Sequence, residues 1–130
     1  GRSDTTLNPG GVRIGTAEIY RAVENMDGIE DAVVVGRPAD GDIEIILCIK
    51  LTDNLTLNSD LELKIKKSIR SKTTPRHVPK YIFEVHEIPY TISGKKVEKA
   101  VLSTILGKEV MNKDALSNPQ SLKEYSNLLF

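Results

Sequence analysis

The chain has 130 residues, of which 39% are hydrophobic and 28% charged, and its 18 basic side chains balance 18 acidic ones. This length predicts a single globular domain, because it suffices for one sizeable core. The neutral balance argues against a general nucleic-acid binder, which would carry a positive surplus. No apolar run approaches the roughly 20 residues that span a bilayer, and nothing at Gly1 resembles a signal peptide, so the expected compartment is the cytoplasm.

The N-terminal segment predicts a short β-hairpin followed by a helix. Residues 8–11 read Asn-Pro-Gly-Gly, a combination typical of tight turns. Thr16 is suited to cap a helix whose apolar positions Ile19 and Val23 lie four apart, and Gly28 is suited to end it. An amphipathic helix is therefore expected after the hairpin.

The next two segments are rich in β-branched residues and predict a pair of antiparallel strands. Residues 31–37 read DAVVVGR and residues 43–51 read IEIILCIKL. The intervening residues 38–42, PADGD, are suited to a hairpin connection. Cys48 lies within the second run, where it is expected to be a small buried hydrophobe without chemistry of its own.

A second helix is predicted to follow these strands. Asn58, Ser59 or Asp60 can cap its start, and apolar residues then recur every four positions up to Ile69. The Thr-Thr-Pro sequence at residues 73–75 is expected to end it.

A run of basic residues begins in this helix and contains no acidic residue, which makes it attractive to anions. Two interpretations are open: a solvated helix face, which is common for charged side chains, or an anion-binding surface. The basic residues are Lys64, Lys66, Lys67, Arg70, Lys72, Arg76 and Lys80.

The C-terminal half predicts a strand, a loop, a helix and a tail. Apolar and polar residues alternate over 81–86, and residues 88–94, IPYTISG, favour a loop. Helical spacing returns over 97–105 and ends at Gly107, and residues 117–130 predict a loosely attached tail with a short helix. The whole pattern predicts an α+β fold with a small three-stranded antiparallel sheet covered by helices and preceded by a short β-hairpin.

The sequence Ser93-Gly94-Lys95 is the loop most suggestive of chemistry, because a lysine beside a glycine can extend its ammonium group toward phosphate or carboxylate oxygens. A Walker phosphate loop is excluded, since Pro89 stands where its first glycine is needed and Lys96 replaces its Ser or Thr. By spacing alone, Lys95 is more typical of a solvated surface lysine.

Other site classes have less support. His77 and His86 lack the spacing of metal ligands, so no metal is expected in this chain. There is no Gly-x-Ser-x-Gly nucleophile motif. Arg2, Asp4 and Arg13 bracket the glycine-rich turn, which is either a loop that approaches a phosphate or a simple hairpin with flanking charges.

Two segments nevertheless resemble a known enzyme family. Residues 1–19, GRSDTTLNPGGVRIGTAEI, closely resemble the hinge and hairpin that open the C-terminal domain of the adenylate-forming acyl-CoA synthetases. Residues 89–95, PYTISGK, resemble the loop that carries the catalytic lysine of that family. Arg-His-Val-Pro at 76–79 and the tail over 107–119 are most similar to the acetoacetate-activating branch. Tyr90 is a departure, because many relatives have lysine there.

The resemblance implies that residues 1–130 are the C-terminal domain of a larger synthetase, with a hinge and hairpin in 1–15, an α+β core in 16–107 and a tail in 108–130. Such an enzyme converts a carboxylic acid and ATP to an acyl adenylate and pyrophosphate, after which the CoA thiol displaces AMP. ATP and CoA would be co-substrates, and Mg²⁺ would accompany ATP in the N-terminal adenylation domain, the partner of this domain. The chain alone would be an inactive fragment.

The resemblance implies that Lys95 is catalytic and bridges the substrate carboxylate and the α-phosphate. Asp4 would be the hinge about which the domain turns between the two steps.

The remaining implied contacts concern the nucleotide and CoA. Arg2 and Arg13 would bind the nucleotide, Gly10 and Gly11 would line the passage for the pantetheine arm, and Arg70 would bind the phosphates of CoA.

Two alternatives stay open at this point. In the first, the enzyme activates acetate, propionate or another short acid, since the acid pocket would lie in the N-terminal domain. In the second, the chain is a stand-alone module that binds CoA or phosphate. A large synthetase domain encoded immediately upstream of Gly1 would exclude the second alternative.

Overall fold

The computed structural model describes residues 6–7, 14–24, 26–52, 55–94, 97–110 and 113–128. The strands β1 (Thr6–Leu7) and β2 (Ile14–Gly15) pair in antiparallel orientation. They are the two arms of the hairpin predicted near the N-terminus, and the turn that joins them lies outside the described residues.

The core of the domain is built on a long hairpin formed by β3 (Ile29–Ala39) and β4 (Asp42–Leu51), which pair in antiparallel orientation. Asp40 and Gly41 connect them, and both have a positive φ, 50° and 78°. An Asp-Gly pair with this backbone matches the twist of the flanking strands. The predicted hairpin is therefore confirmed.

The third strand, β5 (Tyr81–Glu84), pairs with β4 in parallel orientation, so the prediction of an antiparallel sheet is wrong for this pair. The sheet is mixed, in the order β3-β4-β5. The physical reason is the connection, because α2 (Ser59–Lys72) lies between β4 and β5 in the chain. A helical crossover of this kind returns the chain to the end of the sheet at which β4 begins. The next strand, β5, therefore runs parallel to β4.

The predicted helices are present in the described part of the chain, as α1 (Thr16–Glu24), α2, α3 (Glu98–Ile105) and α4 (Leu122–Tyr125). Of the candidate caps of α2, Asn58 is the one used: its Oδ1 accepts a hydrogen bond from the Leu61 N–H at 2.9 Å. Short 3₁₀ helices occupy residues 75–77, 113–115 and 119–121. Within the described ranges, no helix combines the length and apolarity that a membrane crossing requires.

Each face of the sheet carries its own hydrophobic core. On one face α1 and α2 pack against alternate residues of the strands, and we call this the helix-packed core. Its buried members are Ile14, Ile19, Ala22, Val23, Ile29, Ala32, Val34, Ile45, Leu47, Ile49, Leu51, Ile65, Ile69 and Ile82. On the other face α3 and the C-terminal segment form the tail-packed core. Its buried members are Val33, Val35, Ile46, Cys48, Val85, Ile88, Val101, Leu116, Leu122 and Tyr125.

The C-terminal tail is an integral part of this second core, so the prediction of a loosely attached tail is wrong. Leu116, Leu122 and Tyr125 are buried, and Tyr125 is only 1% exposed. The tail has few apolar residues and predicts only a short helix, which made it resemble a surface segment. They are buried because α1 and α2 cover only one face of the sheet.

Candidate functional site

Arg70 is the predicted site residue that the structure describes, and it is exposed in the last turn of α2. The other predicted site residues lie outside the described residues, so their roles stay predictions. They are Arg2, Asp4, Gly10, Gly11, Arg13 and Lys95.

The approach to Lys95 is described, and we call residues 88–94 the lysine loop. The strand β5 ends beside Ile49, at the end of the sheet where β3 begins, because it runs parallel to β4. The loop therefore emerges next to Asp31, whose Oδ2 accepts a hydrogen bond from the Tyr90 hydroxyl. An antiparallel β5 would have delivered the loop to the opposite end of the sheet.

The hydroxyl of Tyr90 remains protonated in this position. Burial, followed by the hydrogen bond to Asp31, raises the pKa of Tyr90 above its ordinary value. It is therefore a hydrogen-bond donor at neutral pH, and it links the lysine loop to β3.

The lysine loop has a defined backbone up to the residue before Lys95. The Ile92 N–H donates to the Ala115 carbonyl at 2.8 Å, and the Gly94 N–H donates to the Thr91 carbonyl at 2.9 Å. Gly94 has a φ of 90°, a conformation that side-chain-bearing residues rarely adopt. A tight turn that needs glycine thus ends the described part of the loop, one residue before Lys95 in the chain.

Asn118 clamps the segment that enters the lysine loop. Its Nδ2 donates to Glu87 Oε2 at 2.7 Å and to the Ile88 carbonyl at 3.1 Å. Its Oδ1 accepts from the Tyr90 N–H at 3.0 Å. Tyr125 adds a bond from its hydroxyl to the Glu87 carbonyl at 2.8 Å. Sequence reasoning missed these tail residues, and the only signal was the Asn-Pro pair at the start of a turn.

Two further contacts attach the same segment to the tail. The Ser117 N–H donates to the Tyr90 carbonyl at 2.9 Å. The carboxylate of Glu124 accepts from the His86 N–H at 2.7 Å and lies 2.7 Å from His86 Nδ1. The tail thus holds the chain from His86 to the lysine loop.

The segment that follows Lys95 in the chain is attached to the sheet as well. Glu98 begins α3 three residues after Lys95, and its Oε2 accepts a hydrogen bond from the Tyr20 hydroxyl. That hydroxyl also accepts from the Val34 N–H at 2.9 Å. Burial, followed by the charge of Glu98, raises the pKa of Tyr20 above its ordinary value. Tyrosine–carboxylate hydrogen bonds therefore flank Lys95 on both sides in sequence.

Arg70 belongs to a different surface. It borders a shallow depression on α2 together with Lys64, Lys67, Ser68 and Ser71. Arg70 lies in the last turn of the helix, where the helix dipole favours positive charge. Because α2 covers the face opposite the tail, the structure does not bring Arg70 to the lysine loop. The exposed basic side chains around the depression are suited to binding an anion.

The two histidines are engaged in local contacts. His77 is buried, with Nδ1 at 2.7 Å from Thr74 Oγ1 and Nε2 at 3.3 Å from Glu18 Oε1. His86 lies against Glu124, as described above. In the part of the chain that the structure describes, no group of three or more His, Cys, Asp or Glu side chains is arranged to hold a metal ion.

Comparisons with known proteins agree with this architecture. Residues 18–95 match the family model described as the AMP-binding enzyme C-terminal domain. The acetoacetyl-coenzyme A synthetase of Rhizobium meliloti (strain 1021) is 48% identical over 128 residues, which cover 98% of this chain and 20% of that protein. The acetoacetyl-CoA synthetase of Xenopus tropicalis is 50% identical over 129 residues, covering 98% of this chain and 19% of that protein.

A solved structure agrees as well. The acetoacetyl-CoA synthetase from Streptomyces lividans superimposes with a TM-score of 0.85 at 36% identity, over 97% of this chain and 19% of that one. The chain thus spans about one fifth of the length of these relatives. Since the family model covers more than half of it, the chain belongs to the AMP-binding enzyme C-terminal domain family.

Proposed function

We propose that this chain is the mobile C-terminal domain of an acetoacetate–CoA ligase. The complete enzyme converts acetoacetate and ATP to acetoacetyl adenylate and pyrophosphate, and then transfers the acyl group to CoA with release of AMP. The observation that carries the proposal is the 48% and 50% identity to acetoacetyl-CoA synthetases over nearly the whole chain. The partner is an N-terminal adenylation domain of the same polypeptide, which also holds the Mg²⁺ that accompanies ATP.

In the first half-reaction Lys95 acts on the two anions that must meet. Its ammonium group bridges the substrate carboxylate and the α-phosphate, which holds them together and stabilises the charge that develops as the phosphorus is attacked. Lysine suits this task because its charge is compact and sits at the end of a flexible stem. The ordered backbone of the lysine loop supports this role, since it ends at the turn of Gly94 directly before Lys95.

The second half-reaction uses another surface of the domain. Asp4 is the hinge whose backbone absorbs the rotation that withdraws Lys95. Gly10 and Gly11 then line the pantetheine passage, where the absence of side chains permits a close approach of the backbone. Arg2 and Arg13 contact the nucleotide.

Arg70 binds the phosphates of CoA in this arrangement. Guanidinium groups form strong charge-assisted hydrogen bonds with phosphate oxygens. Its exposed position beside Lys64 and Lys67 supports the assignment. Its location on the face opposite the tail supports a division of labour, in which one face serves adenylation and the other serves thioester formation.

The test measures the two half-reactions separately in the full-length enzyme. We expect Lys95→Ala to lower acetoacetate-dependent ATP–pyrophosphate exchange by about 10²- to 10³-fold, the usual loss for one electrostatic group in the transition state. Thioester formation from supplied acetoacetyl adenylate should persist. Arg70→Ala serves as the reciprocal variant, with a raised KM for CoA and normal exchange.

Two outcomes would contradict the proposal. Equal losses of both half-reactions in Lys95→Ala would remove the division of labour. Exchange that is stronger with acetate or propionate than with acetoacetate in the unaltered enzyme would replace the proposed substrate by another short acid.

A further inference from the structure

The carboxamide of Asn118 makes a three-way contact on both sides of Pro89. A carboxamide offers two N–H donors and a carbonyl acceptor. The donors bind Glu87 Oε2 and the Ile88 carbonyl, and the acceptor binds the Tyr90 N–H. Proline has no N–H, so the backbone here cannot continue as a regular hydrogen-bonded ladder. The clamp supplies the contacts that a ladder would otherwise make.

Asn118 is itself mounted on buried structure. Its main-chain carbonyl accepts hydrogen bonds from the Ser121 hydroxyl at 2.7 Å and from the Ser121 N–H at 3.0 Å. Ser121 is buried, and Leu122 and Tyr125 follow it into the tail-packed core. A side chain whose support is locked in this way can hold its target within the small tolerance that a reactive group requires.

The clamped segment leads directly to the reacting group of the proposed function. Tyr90 lies five residues before Lys95, and it contacts Asn118 through its N–H, Ser117 through its carbonyl and Asp31 through its hydroxyl. The Ile92 N–H is held by Ala115. Small displacements of a positioned group are costly in catalysis, since about 1 Å can lower a rate by about 10²-fold.

We propose that Asn118 is a positioning residue for adenylation, which acts through the lysine loop and makes no contact with the substrates. The inference rests on the proposed function of Lys95. It assigns to the tail a task in the first half-reaction and none in the second.

The first experiment uses the full-length enzyme with Asn118→Ala. The exposed Gln120→Ala, two residues further along the tail, is the matched control. We expect Asn118→Ala to lower the kcat of ATP–pyrophosphate exchange by about ten- to a hundredfold. Thioester formation from supplied acetoacetyl adenylate should stay within about twofold, because a group that acts only in adenylation leaves the other step intact. Gln120→Ala should leave both half-reactions unchanged.

A pair of variants separates positioning from a general loss of structure. Asn118→Asp removes both donors and places a carboxylate against Glu87. The rate of ATP–pyrophosphate exchange should therefore fall at least as far as in Asn118→Ala. Combining Asn118→Asp with Glu87→Gln restores a donor and an acceptor across that contact, and part of the lost exchange rate should return. No recovery in the double variant, or equal losses in both half-reactions of Asn118→Ala, would overturn the inference.

Hydrogen–deuterium exchange of the substrate-free enzyme provides a readout that does not depend on activity. The amides of Tyr90 and Ile92 should exchange faster in Asn118→Ala than in the unaltered enzyme or in Gln120→Ala. Unchanged protection would overturn the inference whatever the substrate proves to be. If these amides exchange hydrogen faster in Asn118→Ala but the enzyme does not activate acetoacetate, the contact between Asn118 and the loop is upheld and only the proposed function is contradicted.

Discussion

The helices α1 and α2 cover one face of the sheet with regular apolar stripes, whereas α3 shares the other face with the tail, which contributes single buried side chains. On the first face, positions such as Ile65 and Ile69 repeat every helical turn and are fully buried. On the second, Leu116, Leu122 and Tyr125 fill the core one by one. The first face is therefore held mainly by apolar packing, and the second combines packing with specific polar contacts.

The polar contacts explain what this difference achieves. Asn118, Glu124 and Tyr125 bind backbone groups of the segment that leads into the lysine loop. The exposed side of α2 instead presents cations such as Arg70. The tail-packed face thus fixes a loop in place, while the helix-packed face supports an open, charged surface.

The largest effect is expected for Tyr125→Ala. The ring is 1% exposed and its hydroxyl binds the Glu87 carbonyl, so the variant loses both a buried aromatic ring and a hydrogen bond. We expect a loss of about 3–5 kcal/mol in the free energy of unfolding, at least as large as for Ile69→Ala. Chemical denaturation measures both, with the exposed Ser126→Ala as control. A loss under about 1 kcal/mol would mean that the tail is an appendage after all.

An intermediate effect is expected for Asn58→Ala on the other face. The variant removes the side-chain cap of α2, at a cost of about 1 kcal/mol in the free energy of unfolding. Ser59→Ala is the matched control, because Ser59 was an alternative cap that the structure does not use. Hydrogen exchange should rise in the first turn of α2 and stay unchanged in the lysine loop. Faster exchange in the loop would show that the two faces are coupled.

The smallest effect is expected for Glu44 on β4, which pairs with two basic side chains. Glu44 accepts from Lys80 at 2.7 Å and from Arg37 at 2.9 Å, and the bond from Lys80 is the main reason why the pKa of Glu44 lies below its ordinary value. Stability from this carboxylate is present above its ordinary pKa and is lost as the pH falls through the lowered value.

The variant Glu44→Gln checks this pH dependence. It should be slightly less stable than the unaltered chain at about pH 7, and the difference should disappear at about pH 2. Thermal unfolding across this range measures the effect, with Glu30→Gln as control because its contact with Lys50 is long, at 4.0 Å. A difference that persists in acid would assign the loss to packing rather than charge.

The sequence predicted the elements whose cause is local. The turn within residues 38–42, a helix cap among residues 58–60 and the four-residue spacing up to Ile69 all act over a few residues, and the structure confirms them, with Asn58 as the cap. The parallel orientation of β5 was not predicted, because it depends on where the crossover returns the chain. Burial of the tail was missed for the same reason, since it depends on a sheet face that distant segments create.

The candidate site was predictable only through family resemblance. A lysine after a glycine is common on surfaces, so spacing alone did not distinguish Lys95. Asn118 was not predicted by either route, because its contacts join residues about 30 positions apart in the chain. A single polar side chain has no period that could reveal such a clamp.

The burial of Cys48 has a practical consequence for testing the proposed rotation about Asp4. It is the only cysteine of this chain, its side chain is fully buried, and burial raises the pKa of its thiol to about 12. The thiolate is the form of cysteine that attacks thiol reagents, so the buried, protonated thiol of Cys48 does not react with a maleimide dye at neutral pH. A probe attached at Gln120→Cys would therefore be the one label on this domain, and fluorescence could follow its rotation with the native core left intact.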